Sequence, residues 1–124
     1  MGESQARVPI VVKVAGVGEA PGELNRLTAP LTVGDILKVL PINGRTVPAQ
    51  GCVSILLGLK RGTEKPVTQV EAGTIVYWPR AGSICIYPEA TRTYGPVNKI
   101  GRLMGGLEMF RNLKSGSRII IAAV

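Results

Sequence analysis

Histidine, the side chain that most often moves protons near neutral pH, is absent from this chain of 124 residues. Its absence also removes the commonest nitrogen ligand of zinc and the base that activates a serine nucleophile. Ser54 and Ser83 therefore lack a catalytic partner, and neither lies in the strained strand-to-helix turn of a nucleophile elbow. The sequence predicts no metal site and no cofactor.

The eight carboxylate side chains give little support for acid–base catalysis. Asp35 is the sole aspartate, and its position three residues after Thr32 is typical of a capped helix start. Glu89 and Glu108 lie nearest the aromatic-rich segments, but nothing in the sequence brings them together. A hydrolase with two cooperating carboxylates is therefore not supported.

The two cysteines each lie inside an apolar run, Cys52 in "GCVSILLGL" and Cys85 in "SICIY". Their wide separation lacks the close spacing of a zinc site. Free cysteine is among the most buried residue types in proteins. We therefore predict two buried free thiols rather than a disulfide.

The formal net charge is +7, but the cations are spread along the chain rather than clustered. A nucleic-acid surface usually combines clustered cations with aromatic side chains or a groove-entering helix. The glycine-rich "GVGEAPG" lacks the spacing of a dinucleotide-binding loop, and no helix is expected after it. Nucleic-acid and nucleotide binding are not expected, although the charge leaves an acidic partner open.

Three of the five aromatic side chains, Tyr77, Trp78 and Tyr87, lie close together in the sequence. They could form the wall of a binding site or the bulky part of a core, and we favour the core. The strand "SICIY" places Ile84 and Ile86 on one face and Cys85 and Tyr87 on the other. Only one of these two sets can face the interior.

Alternating apolar residues and frequent turn residues predict a mainly β fold. Sixteen glycines and nine prolines favour many short strands. Strands are expected at residues 8–14, in "ELNRLT", "CVSILLGLK", "TIVYW", "SICIY" and "NKIGRLM", and in the final "SRIIIAAV". The segments "INGRTVPAQG" and "GTEKPVTQVEAG" are expected to be connecting loops. Short helices are predicted at Thr32–Leu40 and Gly106–Lys114.

This order of elements indicates a single domain over residues 1–124, a closed eight-stranded antiparallel barrel with two helices at its ends. The longest apolar stretch near the start, "VPIVVKVAGV", is shorter than the roughly 20 residues that a membrane helix needs. No signal-peptide cleavage site follows it. We expect a soluble, cytoplasmic protein that does not bind membranes.

The last fifty residues contain two motifs that identify a family. "GTIVYWP" with "GSICIY" at residues 73–87, and "NKIGRLMGGLEMF" at residues 98–110, resemble the small prokaryotic cyclophilin-like proteins, an uncharacterised group typified by a Thermotoga maritima structural-genomics protein. The resemblance implies a closed eight-stranded barrel with two helices. The first half of the chain matches only in its order of elements.

The resemblance also raises the question of whether this chain has the isomerase site of true cyclophilins. True cyclophilins isomerise X-Pro bonds, whose barrier is about 20 kcal/mol, with an arginine beside an apolar proline pocket. Their catalytic segment contains histidine and phenylalanine, and it would lie near "CVSILLGLKRG" in this chain. This chain has no histidine, and Phe110 is its only phenylalanine. The standard isomerase site is therefore missing.

On the cyclophilin pattern, a ligand-binding groove is expected at Arg61, Tyr77, Arg80, Ile86 and Tyr94. The first hypothesis is a binding domain that takes a peptide or small molecule in this groove. The second is a divergent peptidyl-prolyl isomerase that uses Arg61 or Arg80 as its electrostatic catalyst. The third and least supported is nucleic-acid binding through the net charge.

Overall fold

The computed structural model describes residues 6–47, 49 and 51–124. Within them the chain forms nine strands and two short helices. In chain order these are β1 Arg7–Val14, β2 Gly18–Asn25, α1 Pro30–Val39, β3 Ile42–Val47, β4 Val53–Leu56, β5 Val67–Val70, β6 Thr74–Trp78, β7 Ser83–Ile86, β8 Thr91–Leu103, α2 Leu107–Arg111 and β9 Arg118–Ala123. Neither of these helices has the length and apolar character needed to cross a membrane.

Eight of the strands close into an antiparallel barrel, as the sequence predicts. Their order is β2-β1-β9-β3-β4-β7-β6-β8, and a further pairing of β2 with β8 joins the two ends. The closing pair includes Leu24 opposite Gly101. The ninth strand, β5, pairs with the first half of β8 and lies outside this ring.

The barrel interior is filled by one face of each strand because successive side chains point to opposite sides. In β1 the inward set is Ile10, Val12 and Val14, all nearly inaccessible to solvent. Both helices add to the same core, α1 through Val33 and Ile36 and α2 through Phe110. Burial of these apolar side chains is the main stabilising contribution of the fold.

Several element boundaries differ from those expected. The "INGRTVPAQG" segment is not all loop, since Ile42–Val47 forms β3 between β9 and β4. Likewise, Val67–Val70 within the second expected loop forms β5. In both cases pairing with neighbouring strands overrides a local composition that favours turns.

Both helices also begin or end at residues other than those expected from the sequence. Helix α1 begins two residues early, with Pro30 in its first turn, a position that proline favours. Its first turn is not capped by Thr32 or Asp35. Instead the Glu64 carboxylate accepts hydrogen bonds from the backbone N–H groups of Leu31 and Thr32. Helix α2 is shorter than expected and ends at Arg111.

Candidate functional site: a pocket on the outer face of the barrel

The outward faces of three adjacent strands form the base of a pocket. In β7 the inward side chains are Ile84 and Ile86, so Ser83 and Cys85 point outward, followed by Tyr87 just beyond the strand. The neighbouring strands present Ser54 from β4 and Trp78 from β6 to the same side, because they obey the same alternation. The pocket has a volume of about 410 Å³.

We call this cavity the outer pocket. Its polar and aromatic lining is Cys52, Ser54, Trp78, Ser83, Cys85, Tyr87 and Tyr94, and its apolar lining is Val47, Ala49, Leu56, Ala81 and Val97. No charged side chain lines it in the described part of the chain. An apolar cavity of this size with a few polar groups is typical of a small-ligand site.

Two aromatic rings form one wall of the outer pocket. The rings of Trp78 and Tyr94 stand perpendicular to each other, with centroids 6.3 Å apart, an edge-to-face contact. Tyr94 is 73% exposed, and Trp78 is the only aromatic ring that contacts it in the described residues. The Trp78 Nε1–H is buried and has no hydrogen-bond partner within residues 6–47, 49 and 51–124.

The five residues expected to form one groove do not lie together. Tyr77 and Ile86 are fully buried in the barrel interior, because they belong to the inward sets of β6 and β7. The Tyr77 hydroxyl donates to the Leu59 carbonyl and accepts a hydrogen bond from the Arg61 N–H at 3.1 Å. Tyr77 therefore supports a loop from within the core and is not accessible to a ligand.

The two arginines lie in a separate depression, the side groove, which Arg61, Arg80 and Ala81 help to line. Arg61 is held there by Asp35, whose Oδ2 lies 2.6 Å from Nε and from Nη2. Of the five expected residues only Tyr94 lines the outer pocket. Ala81 lines both cavities, so the two adjoin at the β6–β7 turn.

The sequence contained the signal for the outer pocket in the alternation of "SICIY". That alternation separates Ile84 and Ile86 from Cys85 and Tyr87, but it does not say which set faces inward. The structure places Ile86 in the inward set, so its side chain does not reach the surface of the barrel. Trp78, Ser54 and Ser83 have the outward parity of their strands, and they were missed as pocket residues for the same reason.

The polar base of the outer pocket contains two interacting thiols. Hydrogen bonding to Cys52 lowers the pKa of Cys85 to about 7, against the opposing effect of burial, and the Ser54 and Ser83 hydroxyls act in the same direction. The hydrogen bond to Cys85 and then burial raise the pKa of Cys52. Burial, followed by electrostatic interaction with Cys52 and Cys85, raises the pKa of Tyr87. The described residues contain no cluster of three or more potential metal ligands.

Comparison with known proteins agrees with the barrel. The family model described as Cyclophilin-like matches residues 7–122. This chain belongs to the Cyclophilin-like family. The domain is also similar to a hypothetical protein from Archaeoglobus fulgidus known from a solution structure, with 22% sequence identity, a TM-score of 0.79 and complete coverage of both chains.

A second solved structure shares the fold over part of its length. The Cyclophilin-like domain matches McbB, solved in complex with tryptophan, with 14% identity and a TM-score of 0.72. The match covers 91% of this chain and 44% of McbB. No curated protein matches the chain.

Proposed function

We propose that this Cyclophilin-like domain is a binding module that takes an apolar, uncharged group of a peptide or small molecule into the outer pocket. The observation that carries the proposal is the wall that the rings of Trp78 and Tyr94 form beside a mainly apolar cavity of about 410 Å³. Burial of an apolar group against these rings would be favourable.

The lining supports an uncharged ligand. Burial of an ionised group without a partner is costly, and no described side chain of the outer pocket offers an opposite charge. The volume of about 410 Å³ lies within the range of roughly 300–1,000 Å³ usual for ligand pockets. Aromatic rings such as Trp78 and Tyr94 suit a flat or ring-shaped apolar group.

The chain has a single tryptophan, which provides a specific probe. In a ¹⁵N-labelled sample the indole N–H of Trp78 gives one isolated signal. A capped, neutral tryptophan, chosen because McbB was solved with tryptophan, and a set of capped neutral dipeptides with proline or aromatic residues would be titrated. We expect at least one probe to shift the Trp78 indole signal in a saturable manner.

The matched variants are Tyr94→Ala and Leu27→Ala. Both remove a largely exposed apolar side chain, but only Tyr94 lines the outer pocket. Tyr94→Ala should weaken binding about tenfold, since an aromatic contact contributes roughly 0.5–1.5 kcal/mol beyond its buried area. Leu27→Ala should leave binding unchanged. Saturable shifts confined to other parts of the barrel would refute the outer pocket as the site.

The alternative is a peptidyl-prolyl isomerase that uses Arg80 or Arg61. Its supporting observation is that the side groove, which both arginines line, adjoins the outer pocket at Ala81. A proline held in the outer pocket would then lie beside a cation. This alternative ranks second because no arginine lines the outer pocket in the described chain, and Asp35 already engages Arg61.

NMR exchange on a proline peptide separates the two functions. The isomerase predicts faster cis–trans exchange that Arg80→Ala or Arg61→Ala removes. The binding module predicts line broadening or shifts of the peptide without faster exchange. Acceleration that survives both substitutions would contradict the arginine-based mechanism.

A further inference from the structure

The side groove next to the outer pocket is a basic cavity with a volume of about 610 Å³. Its lining includes three cationic side chains, Lys60, Arg61 and Arg80, and none of the described lining residues is a carboxylate. Asp35 pairs with Arg61 at 2.6 Å and compensates one of these charges. Lys60 and Arg80 are exposed, and neither forms an ion pair in the described part of the chain. Two positive charges therefore remain available in the side groove.

The side groove is formed by two chain segments that hydrogen bonds hold together. In the turn between β6 and β7, the Gly82 N–H donates to the Trp78 carbonyl at 2.9 Å. The Gly82 carbonyl accepts from the backbone N–H groups of Leu57 and Gly58, at 3.0 and 3.2 Å. The buried Tyr77 hydroxyl ties the same loop to the core. The backbone that carries the cations is thus fixed before a ligand arrives, which lowers the entropic cost of binding.

The two cavities adjoin at this turn, where Ala81 lines both. Trp78 lines the outer pocket, and Arg80, two residues later, lines the side groove. Two residues span at most about 7 Å of chain, so the Cα atoms of Trp78 and Arg80 lie within that distance of each other. A molecule whose ring rests against Trp78 therefore has the Arg80 guanidinium within reach of a group attached close to the ring.

The charges of the two cavities divide such a ligand into two parts. The outer pocket has no charged side chain in its described lining, so an ionised group is disfavoured there by the cost of its desolvation. The side groove offers a guanidinium, whose fork of N–H donors matches the two oxygens of a carboxylate. The apolar part of the ligand belongs in the first cavity and an anionic part in the second.

We propose that the ligand of this domain carries a carboxylate beside its apolar group, and that Arg80 binds this carboxylate in the side groove. Lys60 adds electrostatic attraction from the same cavity. The inference rests on the proposed function, because it specifies the charge of the molecule whose apolar group occupies the outer pocket. Arg61 contributes less, since its charge is already engaged by Asp35.

The test compares two probes that differ at one group. N-acetyltryptophan carries a carboxylate, whereas N-acetyltryptophanamide is neutral and has the same ring. Each is titrated into ¹⁵N-labelled protein at low salt, and the shift of the Trp78 indole signal gives its Kd. An exposed ion pair changes affinity by up to about fivefold, so the acid should bind about fivefold more tightly than the amide. At high salt this preference should fall towards one, because screening weakens exposed charge pairs.

The matched variants are Arg80→Gln and Arg118→Gln. Both remove the charge of an exposed arginine, but Arg118 lies on β9 and lines neither cavity. Arg80→Gln should bring the affinity for the acid close to that for the amide. Arg118→Gln should keep the preference of the wild type. Circular dichroism verifies that both variants are folded.

A third probe identifies the source of the carboxylate. An acetylated tripeptide that ends in tryptophan with a free C-terminus presents the same ring and carboxylate on a chain. Tighter binding of the tripeptide than of N-acetyltryptophan would identify the end of a peptide as the ligand. Equal affinity would identify a small aromatic acid.

The outcomes separate this inference from the proposed function. If neither form of tryptophan nor the neutral dipeptides shift the Trp78 indole signal, the proposed function fails and the carboxylate assignment falls with it. If acid and amide bind the wild type equally well, the outer pocket stands as a binding site and this inference alone is overturned. The same holds if Arg118→Gln reduces the preference for the acid as much as Arg80→Gln, since only the overall charge would then matter.

Discussion

Glu64 caps a helix that lies 32 residues before it, through two hydrogen bonds from Thr32. The Thr32 N–H donates at 2.8 Å and the Thr32 hydroxyl at 2.7 Å, both to Oε1, while the Leu31 N–H donates to Oε2 at 2.9 Å. Asn98, fully buried on β8, completes the contact by donating to Thr32 Oγ1 and accepting from the Glu64 N–H. The loop between β4 and β5 is thereby fixed to both α1 and the barrel.

Removal of this cap should destabilise the protein. Replacement of an N-capping side chain by alanine typically costs about 1 kcal/mol, within a range of roughly 0.5–2. We therefore expect Glu64→Ala to lower the free energy of unfolding by about that amount in a urea titration. Glu71→Ala is the matched control, because Glu71 is exposed and lies in the turn between β5 and β6. Equal losses in the two variants would contradict the capping role.

The same contact predicts a dependence on pH. Burial opposes ionisation of Glu64, but hydrogen bonds from Leu31 and Thr32 and the charge of Arg61 outweigh it and lower its pKa. A carboxyl group whose folded pKa is depressed stabilises the fold above its unfolded pKa and loses this contribution as pH falls through the folded value. The difference in stability between wild type and Glu64→Ala should therefore be largest above pH 4.5 and shrink below it. A difference that stays constant down to strongly acidic pH would contradict this assignment.

The distant cap illustrates what the sequence could and could not reveal. The periodicity of α1 and the alternation of β1 are local patterns, and they predicted a helix and a strand correctly. The partner of Thr32 is not local, since it depends on how the loop after β4 folds back. The sequence signal pointed to Asp35 instead, and Asp35 forms an ion pair with Arg61.

The candidate site shows the same limit. The barrel could be predicted because strand lengths, turn residues and family motifs all agree. The location of the outer pocket depends on which face of β7 packs inward, and a strand with apolar residues on both faces does not specify this. Tyr77 and Ile86 were assigned to the groove on the cyclophilin pattern, and both lie in the barrel interior, whereas Tyr94 lies in an exposed position at the pocket.

Tyr77→Phe should test the structural role of the buried tyrosine. The change removes the hydroxyl that bonds the Leu59 carbonyl and the Arg61 N–H, and it keeps the ring that fills the core. At about 1 kcal/mol for each hydrogen bond, the free energy of unfolding should fall by about 1–2 kcal/mol. Binding of any probe in the outer pocket should not change.

Tyr94→Phe provides the control for this prediction. Tyr94 is largely exposed, so the loss of its hydroxyl should alter stability by less than about 0.5 kcal/mol. Urea unfolding of both variants measures the difference. If Tyr77→Phe abolished probe binding while leaving stability unchanged, Tyr77 would be a ligand-contacting residue after all.

The sequence predicts that this protein does not bind nucleic acids, and the ion pairs give that prediction a physical basis. Arg61 is paired with Asp35, Arg102 with Glu23, and Arg111 with Glu89. These pairs engage three of the fifteen lysine and arginine side chains and so reduce the cations available to phosphates. We expect fluorescence anisotropy with a labelled oligonucleotide to show only weak binding at low salt, which disappears at physiological salt. Saturable binding that persists at physiological salt would contradict this expectation.

Closure of the barrel depends on the absence of a side chain at Gly101. A Cβ atom there would lie 2.1 Å from the Glu23 carbonyl oxygen and 3.0 Å from Leu24 Cα, both in the strand that closes the ring. These neighbours are backbone atoms and cannot rotate away, so Gly101→Ala must push β2 and β8 apart. Such overpacking should cost about 3 kcal/mol, and the amides at the β2–β8 junction should lose protection from hydrogen exchange.

Gly95→Ala, in the same strand, is the control because a Cβ at Gly95 meets no atom within 4 Å. It should change the free energy of unfolding by less than about 0.5 kcal/mol. If the two alanine variants unfolded at the same urea concentration, the junction would tolerate a side chain and would not be the tight contact that seals the barrel.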